Sequence, residues 1–280
     1  MISFCSLRIQ WFLKKGTQET VPKDILSFYR FKSEFDCEDL LGKGAFGEVH
    51  KAKHKLTKKD YAVKIVRFKE VEKALREVIA LSDLDHCNIV RYHTCWLEDS
   101  GYQGDNADDS GSSSESSMDY SFKYLYIQME LCDTDTLRVW IAKRNTQNVK
   151  KSLRGSKRRD ETILQMLLQM ASAVEYIHSK MLIHRDLKPA NIMFGQAGEV
   201  KIGDFGLVTA ENDDDAENLL ERTVYKGTPS YMAPEQSQRT YDRKVDMFAL
   251  GLICFEVLWK IPTGHERAVV SCLVTIQNCT

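Results

Sequence analysis

Apolar positions recur along this chain in several rhythms, and each rhythm predicts a different element. Between residues 35 and 68, short apolar runs are broken by Gly42, Gly44 and Gly47 and by the polar turn Thr57-Lys58-Lys59-Asp60, which predicts three antiparallel strands. Val71, Ala74, Leu75, Val78 and Ile79 then fall at three-and-four spacing with charges between them, so a helix with one buried face should follow. Residues 89–97 and 122–130 read as two further strands, completing a small five-stranded sheet that carries one helix. Farther on, Ile163, Met166, Leu167, Met170, Ala173, Val174 and Ile177 form a second helical stripe. Residues 245–259 are almost wholly apolar around Gly251, which predicts a helix buried on every side, whereas residues 262–280 show no clear period.

Two stretches break these rhythms. Residues 99–121 are rich in Ser, Asp and Gly and nearly free of aliphatic side chains, so they bury too little surface to offset their ordering entropy. A disordered insert is expected there, with an acidic phosphorylation segment as the alternative. Residues 143–159 contain eight Lys or Arg, which reads as a solvated loop between helices, against a docking or nucleic-acid role.

Composition narrows the picture further. With 280 residues, 43 % of them hydrophobic, the chain can build one large domain or two small lobes. A net charge of -1 gives no overall reason to expect a nucleic-acid ligand. Eight cysteines lie scattered without a CxxC pair, as in a reduced, intracellular protein. Cys87, His93 and Cys95 are close in sequence, but no fourth metal ligand is spaced to join them and the segment reads as a strand. The apolar opening residues 1–13 lack a basic n-region and a small-residue cleavage site, and no window of eighteen apolar residues exists. A cytoplasmic protein without a membrane span is the expectation.

The chemistry lies in three motifs. Leu41-Gly42-Lys43-Gly44-Ala45-Phe46-Gly47-Glu48-Val49 matches a glycine-rich strand-turn-strand whose backbone can lie close over phosphates. Ala62-Val63-Lys64 follows on the next strand, and thirteen residues later Glu77 is the acid placed to hold Lys64. His184-Arg185-Asp186-Leu187-Lys188-Pro189-Ala190-Asn191 and, thirteen residues beyond Asn191, Asp204-Phe205-Gly206 bring a proton acceptor, a cation and two oxygen ligands onto two loops. Together the motifs resemble those of eukaryotic-type protein kinases.

That resemblance implies an α+β, bilobal protein-kinase-like fold, with a small antiparallel five-stranded lobe and an incomplete helical large lobe. It divides the chain into an N-terminal extension over 1–30, the small lobe over 31–131 with its acidic insert 99–121, a partial large lobe over 132–262, and a divergent tail over 263–280. Asp186 and Lys188 take the catalytic roles, and Asn191 and Asp204 hold Mg²⁺. The ATP site is implied to involve Leu41, Gly42, Lys43, Gly44, Ala45, Phe46, Gly47, Val49, Ala62, Lys64, Glu77, Met129 and Cys132. His184 is assigned to packing against Phe205, continued by Leu81, and Asp246 to anchoring the catalytic loop. Gly227-Thr228-Pro229-Ser230-Tyr231-Met232-Ala233-Pro234-Glu235 resembles the end of an activation segment, and the chain is read as acting on Ser/Thr. Arg185, read as a buried guanidinium without a counter-ion, implies a phosphorylated activation loop, with Thr223 first and Thr228 second as acceptors. Thr223 as an ordinary loop threonine stays open.

Flanking words sharpen the family. Residues 84–90, 127–130, 183–192 and 201–208 resemble the kinases of the alpha subunit of translation initiation factor 2, especially the nucleic-acid-activated members, and an acidic insert between the fourth and fifth strands is typical of them. The resemblance implies this subunit as substrate, translational repression in a stress or antiviral response, and a back-to-back homodimer through Arg30, Glu34 and Tyr92. Taken without it, those three are a surface ion pair and a half-buried tyrosine. No nucleic-acid-binding module is expected within the chain. The large lobe reads as truncated, lacking the helix that docks the substrate and the Arg that pairs with Glu235, so poor stability is expected. The alternative function is a truncated, weakly active isoform that binds ATP or dimerises with a full-length kinase to regulate it.

Overall fold

The computed structural model describes residues 29–44, 47–68, 78, 82–99, 101–102, 123–146, 153–205, 209–210, 229–237 and 241–259. The chain forms two compact units, one of Met1–Asp83 with Arg91–Leu131 and one of Leu84–Val90 with Cys132–Thr280.

The first unit is built on a sheet of β1 (Phe35–Gly44), β2 (Gly47–His54), β3 (Asp60–Phe68), β4 (Tyr92–Glu98) and β5 (Lys123–Glu130). Their spatial order is β1-β2-β3-β5-β4, with every neighbouring pair antiparallel. The polar turn between β2 and β3 closes as its sequence requires: Lys58 takes φ 56 and donates its N–H to the His54 carbonyl at 2.8 Å. Strand alternation then sorts side chains onto two faces. Val63 and Ile65 join Phe35, Ala52, Trp96 and Tyr126 on one face, which Phe31 covers from a short helix, α1 (Arg30–Glu34). On the other, Val78, Cys95, Leu97, Leu125 and Ile127 form a separate cluster with Val66, Tyr92 and Met129 against it. Of the helical stripe expected after β3, Val78 alone is described, and it is buried in that cluster.

In the second unit, α2 (Leu137–Thr146) and α3 (Leu153–Ser179) precede short strands β6 (Leu182–Ile183), β7 (Ile192–Phe194), β8 (Val200–Ile202) and β9 (Thr209–Ala210), and α4 (Lys244–Leu258) follows. β7 pairs with β8 and β6 with β9, both antiparallel. Ile163, Met166, Met170, Ala173, Val174 and Ile177 of α3 are all buried, while Leu164 and Leu168 between them are exposed. The 3.6-residue period explains both groups.

Four expectations are corrected. The fourth strand spans Tyr92–Glu98, not 89–97, because Ile89 bridges to Ile202 and Val90 donates its N–H to the Ile202 carbonyl at 2.8 Å. An apolar run shows no such change of backbone partner. The insert 99–121 begins folded: Tyr102 stands edge-on to Phe31 at 5.2 Å and to His50 at 5.4 Å, since an aromatic ring gains from covering the sheet. Residues 103–122 lie outside the described residues. The basic stretch 143–159 is helical at both ends, within α2 up to Thr146 and within α3 from Leu153, as the good helix propensity of Lys and Arg permits. Lastly, α4 is not buried on every side. Val245, Ala249, Leu252, Ile253 and Val257 are buried, but Met247, Phe255, Leu258 and Trp259 are exposed.

Across β1 and β2, Lys51 and Lys53 both pair with Glu38, at 2.7 and 2.9 Å, and hold its carboxyl down at about 2 from an ordinary 4.5. A depressed carboxyl contributes above its unfolded pKa and loses that contribution as pH falls through the folded one. An NMR titration of Glu38 should therefore show an apparent pKa well below 4.5 that climbs toward it at 1 M salt, because the pair is exposed to screening. An unshifted titration at low salt would show that the pairing does not persist in solution.

Candidate active site

The first unit supplies a glycine turn and a buried lysine. β1 and β2 meet at the Gly44–Gly47 pair, and Gly47 has φ 118. A Cβ there would come within 2.1 Å of the Ile65 carbonyl oxygen, so the turn needs glycine both for its backbone angle and for space. At Gly42 an added Cβ meets nothing within 4 Å, which leaves room above that part of the strand. Lys43 pairs with Glu48 at 2.8 Å across the hairpin. Lys64 sits on β3, the third of five strands, opposite Val49 and Ile127, and is only 7 % exposed. That position distinguishes it from a solvated edge lysine, since a buried ammonium needs an anionic partner or ligand. Ala62, opposite Met129, is buried, Met129 is half-buried and Leu41 is exposed. Ala45, Phe46, Glu77 and Leu81 lie outside the described residues.

The second unit holds a loop fixed from below. Asp246 of α4 is 1 % exposed and accepts the backbone N–H groups of His184 and Arg185, both at 2.8 Å, while His178 Nε2 lies 2.9 Å from its Oδ2. A carboxylate with two backbone donors clamps the chain where Arg185 takes φ 67, a left-handed conformation costly for a residue with a Cβ. The His184 ring packs on Phe205 at 4.9 Å and lies 3.1 Å from the Gly203 carbonyl. Above that base, Lys188 Nζ donates to Asp186 Oδ2 at 2.7 Å, and Asn191 Nδ2 donates to the Asp186 carbonyl at 2.9 Å and to Oδ2 at 3.1 Å. Asp186, Lys188 and Asn191 are thus gathered around one carboxylate, and Asp186 is 5 % exposed. Arg185 corrects an expectation: it is half-buried, and its guanidinium reaches the Tyr241 hydroxyl at 3.5 Å. Thr223 and Thr228 lie outside the described residues.

Asn191 and Asp204 suit a hard cation. The Asn191 amide nitrogen is committed to Asp186, so its amide oxygen is the ligand it can offer. Gly203 donates its N–H to the Asn191 carbonyl at 2.9 Å, which sets Asp204 beside Asn191. Asp204 takes φ 57 and is exposed while Phe205 next to it is buried. One amide oxygen and one carboxylate match the oxygen chemistry Mg²⁺ prefers. A Cβ at Gly203 would meet Met193 Cε at 2.5 Å and Val90 Cγ2 at 3.0 Å, so the approach to Asp204 admits only glycine without repacking.

A model of the protein kinase domain matches residues 35–272 of the chain. The chain belongs to the protein kinase family. This kinase is 44 % identical over 242 residues to the interferon-induced, double-stranded RNA-activated protein kinase of Rattus norvegicus, covering 85 % of the chain and 43 % of the relative. Identity to the Mus musculus protein of the same name is 45 % over 240 residues, with 85 % and 42 % covered. It is also 44 % identical over 153 residues to eukaryotic translation initiation factor 2-alpha kinase 3 of Bos taurus, covering 51 % of the chain and 13 % of the relative. The chain spans less than half the length of these curated relatives. No described helix is long and apolar enough to cross a membrane.

One group of residues in the kinase escaped the sequence reading. Tyr231, near the end of the activation segment, donates its hydroxyl to Glu256 of α4; Arg138 of α2 donates to Glu256 Oε2 at 2.7 Å and to the Tyr231 hydroxyl. Burial pushes the Tyr231 phenol up, and Glu256 accepting its proton pushes it further, so it remains a donor. The three residues are 118 positions apart at their widest, and no local pattern joins Arg138 to Glu256. A charged residue within the apolar run that follows Asp246 was the signal available at Glu256.

Because Asp246 satisfies two buried backbone donors, replacing it strands both, at roughly 1–3 kcal/mol each. Asp246→Ala is expected to lower the unfolding free energy of the second unit by about 3 kcal/mol in urea titrations, with loss of the ordered catalytic loop. A loss below about 1 kcal/mol would mean that the loop holds its shape without the carboxylate.

Proposed function

We propose that the chain is a serine/threonine protein kinase that moves the ATP γ-phosphoryl group, with Mg²⁺, to the alpha subunit of translation initiation factor 2. The single observation that carries the reading is the convergence of Lys188 and Asn191 on the buried carboxylate of Asp186. In the transfer, the substrate hydroxyl oxygen bonds to the γ-phosphorus while the bond to the bridging oxygen breaks and ADP leaves with the electron pair. Asp186 accepts the hydroxyl proton. Lys188, already held beside that carboxylate, offsets charge on the transferring group, and Asn191 keeps Asp186 oriented. Mg²⁺, held by Asn191 and Asp204, would neutralise phosphate charge. Lys64, with Leu41, Gly42, Lys43, Gly44, Ala45, Phe46, Gly47, Val49, Ala62, Glu77, Met129 and Cys132, belongs to ATP binding on this reading.

The substrate rests on the initiation factor 2-alpha kinases among the relatives. Repression of translation in a stress or antiviral response, a cytoplasmic setting, and control by phosphate at Thr223 or Thr228 belong to the same proposal. So does a homodimer through Arg30, Glu34 and Tyr92. Arg30 and Glu34 pair at 2.9 Å and are both partly exposed, and opposite charges on one surface are self-complementary about a twofold axis.

The test is radiolabelled transfer from ATP to the purified initiation factor subunit by the wild-type chain and by Asp186→Asn. The wild type should incorporate phosphate into Ser or Thr at a rate at least about 100-fold above the variant, with nucleotide affinity retained in both. Equal, negligible incorporation with nucleotide still bound would overturn the enzyme reading and favour an ATP-binding regulator of a longer kinase.

A further inference from the structure

We infer that Glu98 is a positioning residue: its buried carboxylate latches α1 onto the sheet and thereby fixes the surface that presents Arg30 and Glu34 to a second copy of the chain. The self-association itself rests on the proposed function; the latch rests on contacts within the first unit.

α1 has no means of standing alone. Five residues make barely more than one helical turn, far below the length at which isolated helices persist. Tyr29, its N-cap, has φ 61 and makes no side-chain cap hydrogen bond. The N-terminal donors of a helix need partners, and here one comes from a distant strand. The Phe31 N–H donates to Glu98 Oε1 at 2.7 Å, a bond spanning 67 residues of sequence. The same Glu98 oxygen accepts the Trp96 indole N–H at 2.8 Å. Glu98 is 3 % exposed, although a carboxylate at the end of a strand would ordinarily reach solvent.

Its environment offsets part of the cost of burying it, although the carboxyl still lies above its ordinary value. Burial pushes the Glu98 carboxyl up, while bonds from Phe31, Trp96 and Tyr126 and the nearby Arg30 charge pull it down. Tyr126, pushed up by burial and by Glu98, stays protonated as a donor. Arg30 then completes the arrangement: its guanidinium carbon lies 4.6 Å from the centre of the Trp96 ring, whose nitrogen Glu98 holds. Glu98 therefore sets the helix through Phe31 and the arginine through Trp96. Phe31 packs among Phe35, Tyr102 and Tyr126, so release of the latch would also uncover apolar surface.

Hydrogen exchange on the intact chain decides between a latch and an ordinary core residue. In Glu98→Ala, protection of the Phe31 amide should fall at least 10-fold while the amides of Val63, Ile65 and Tyr126 keep theirs. Glu98→Gln, which retains an acceptor oxygen, should change Phe31 by less than about 3-fold. Unchanged protection at Phe31, or an equal fall across α1 and the sheet, would overturn the latch. Sedimentation of the same variants reads the consequence. Glu98→Ala should weaken self-association at least 10-fold, as Arg30→Asp should, with nucleotide affinity unaltered, whereas association as tight as wild type despite a released α1 would overturn the positioning role. A wild-type chain that sediments as a monomer at all concentrations would remove the dimer reading and with it the surface half of the inference, while the exchange result would still judge the latch.

Discussion

The buried carboxylate of Asp246 is the contact on which the shape of the 184–191 loop depends. It lies on α4, sixty-one positions after Arg185, and accepts the N–H groups of two consecutive residues in the loop. Left-handed backbone at Arg185 persists because the carboxylate satisfies donors that would otherwise be stranded in the interior. Once Arg185 is so held, Asp186 turns into the reach of Lys188 and Asn191, and His184 turns down onto Phe205. The carboxylate of Asp186 is thus oriented by a second one placed beneath it. Neither the cation nor the amide would converge on Asp186 if the loop relaxed.

The first unit solves a different problem, that of keeping a cation buried and ready on a small sheet. Alternation along β3 divides its residues between two clusters, so that Lys64 lies on the face opposite Val63 and Ile65. Those two belong to an aromatic cover that needs no charge, and α1 seals it through Phe31. At the other end of the hairpin, Gly47 lies so close to the Ile65 carbonyl that the turn is tied to the strand carrying the lysine. The glycine that the turn needs and the buried lysine therefore lie within three positions of each other on β2 and β3.

Much of this was legible without coordinates. Strands β1, β2 and β3, the buried stripe of α3 and the loop motifs follow from short-range patterns, because a strand or a helix face repeats over a few residues. The placing of Asp186, Lys188 and Asn191 near one another was also legible, since all three share one turn of chain. Where the reading missed, a long-range partner was responsible. Ile89 and Val90 read as strand because they are apolar, yet Ile89 donates its N–H to the His86 carbonyl and bridges to Ile202, and Val90 donates to the Ile202 carbonyl. Tyr102 looked like part of a polar insert, but one ring in contact with Phe31 and His50 folds with the sheet. α1 left little periodic signal at all, because five residues do not complete a second turn.

The sequence by itself determined the inventory: which side chains can accept a proton, carry a positive charge or bind a hard cation, and in which element each sits. Spacing within a loop or along a strand sufficed for that, since covalent geometry keeps near neighbours near. Only the tertiary structure decided which distant groups make that inventory work. Glu98 beneath α1 and the Tyr231–Glu256–Arg138 group each join residues far apart in the chain, whereas the family resemblance had already assigned Asp246 to the loop it holds. Buried polar groups must find partners wherever the fold brings them, and that choice is written in the packing of the whole unit and not in any local run of residues.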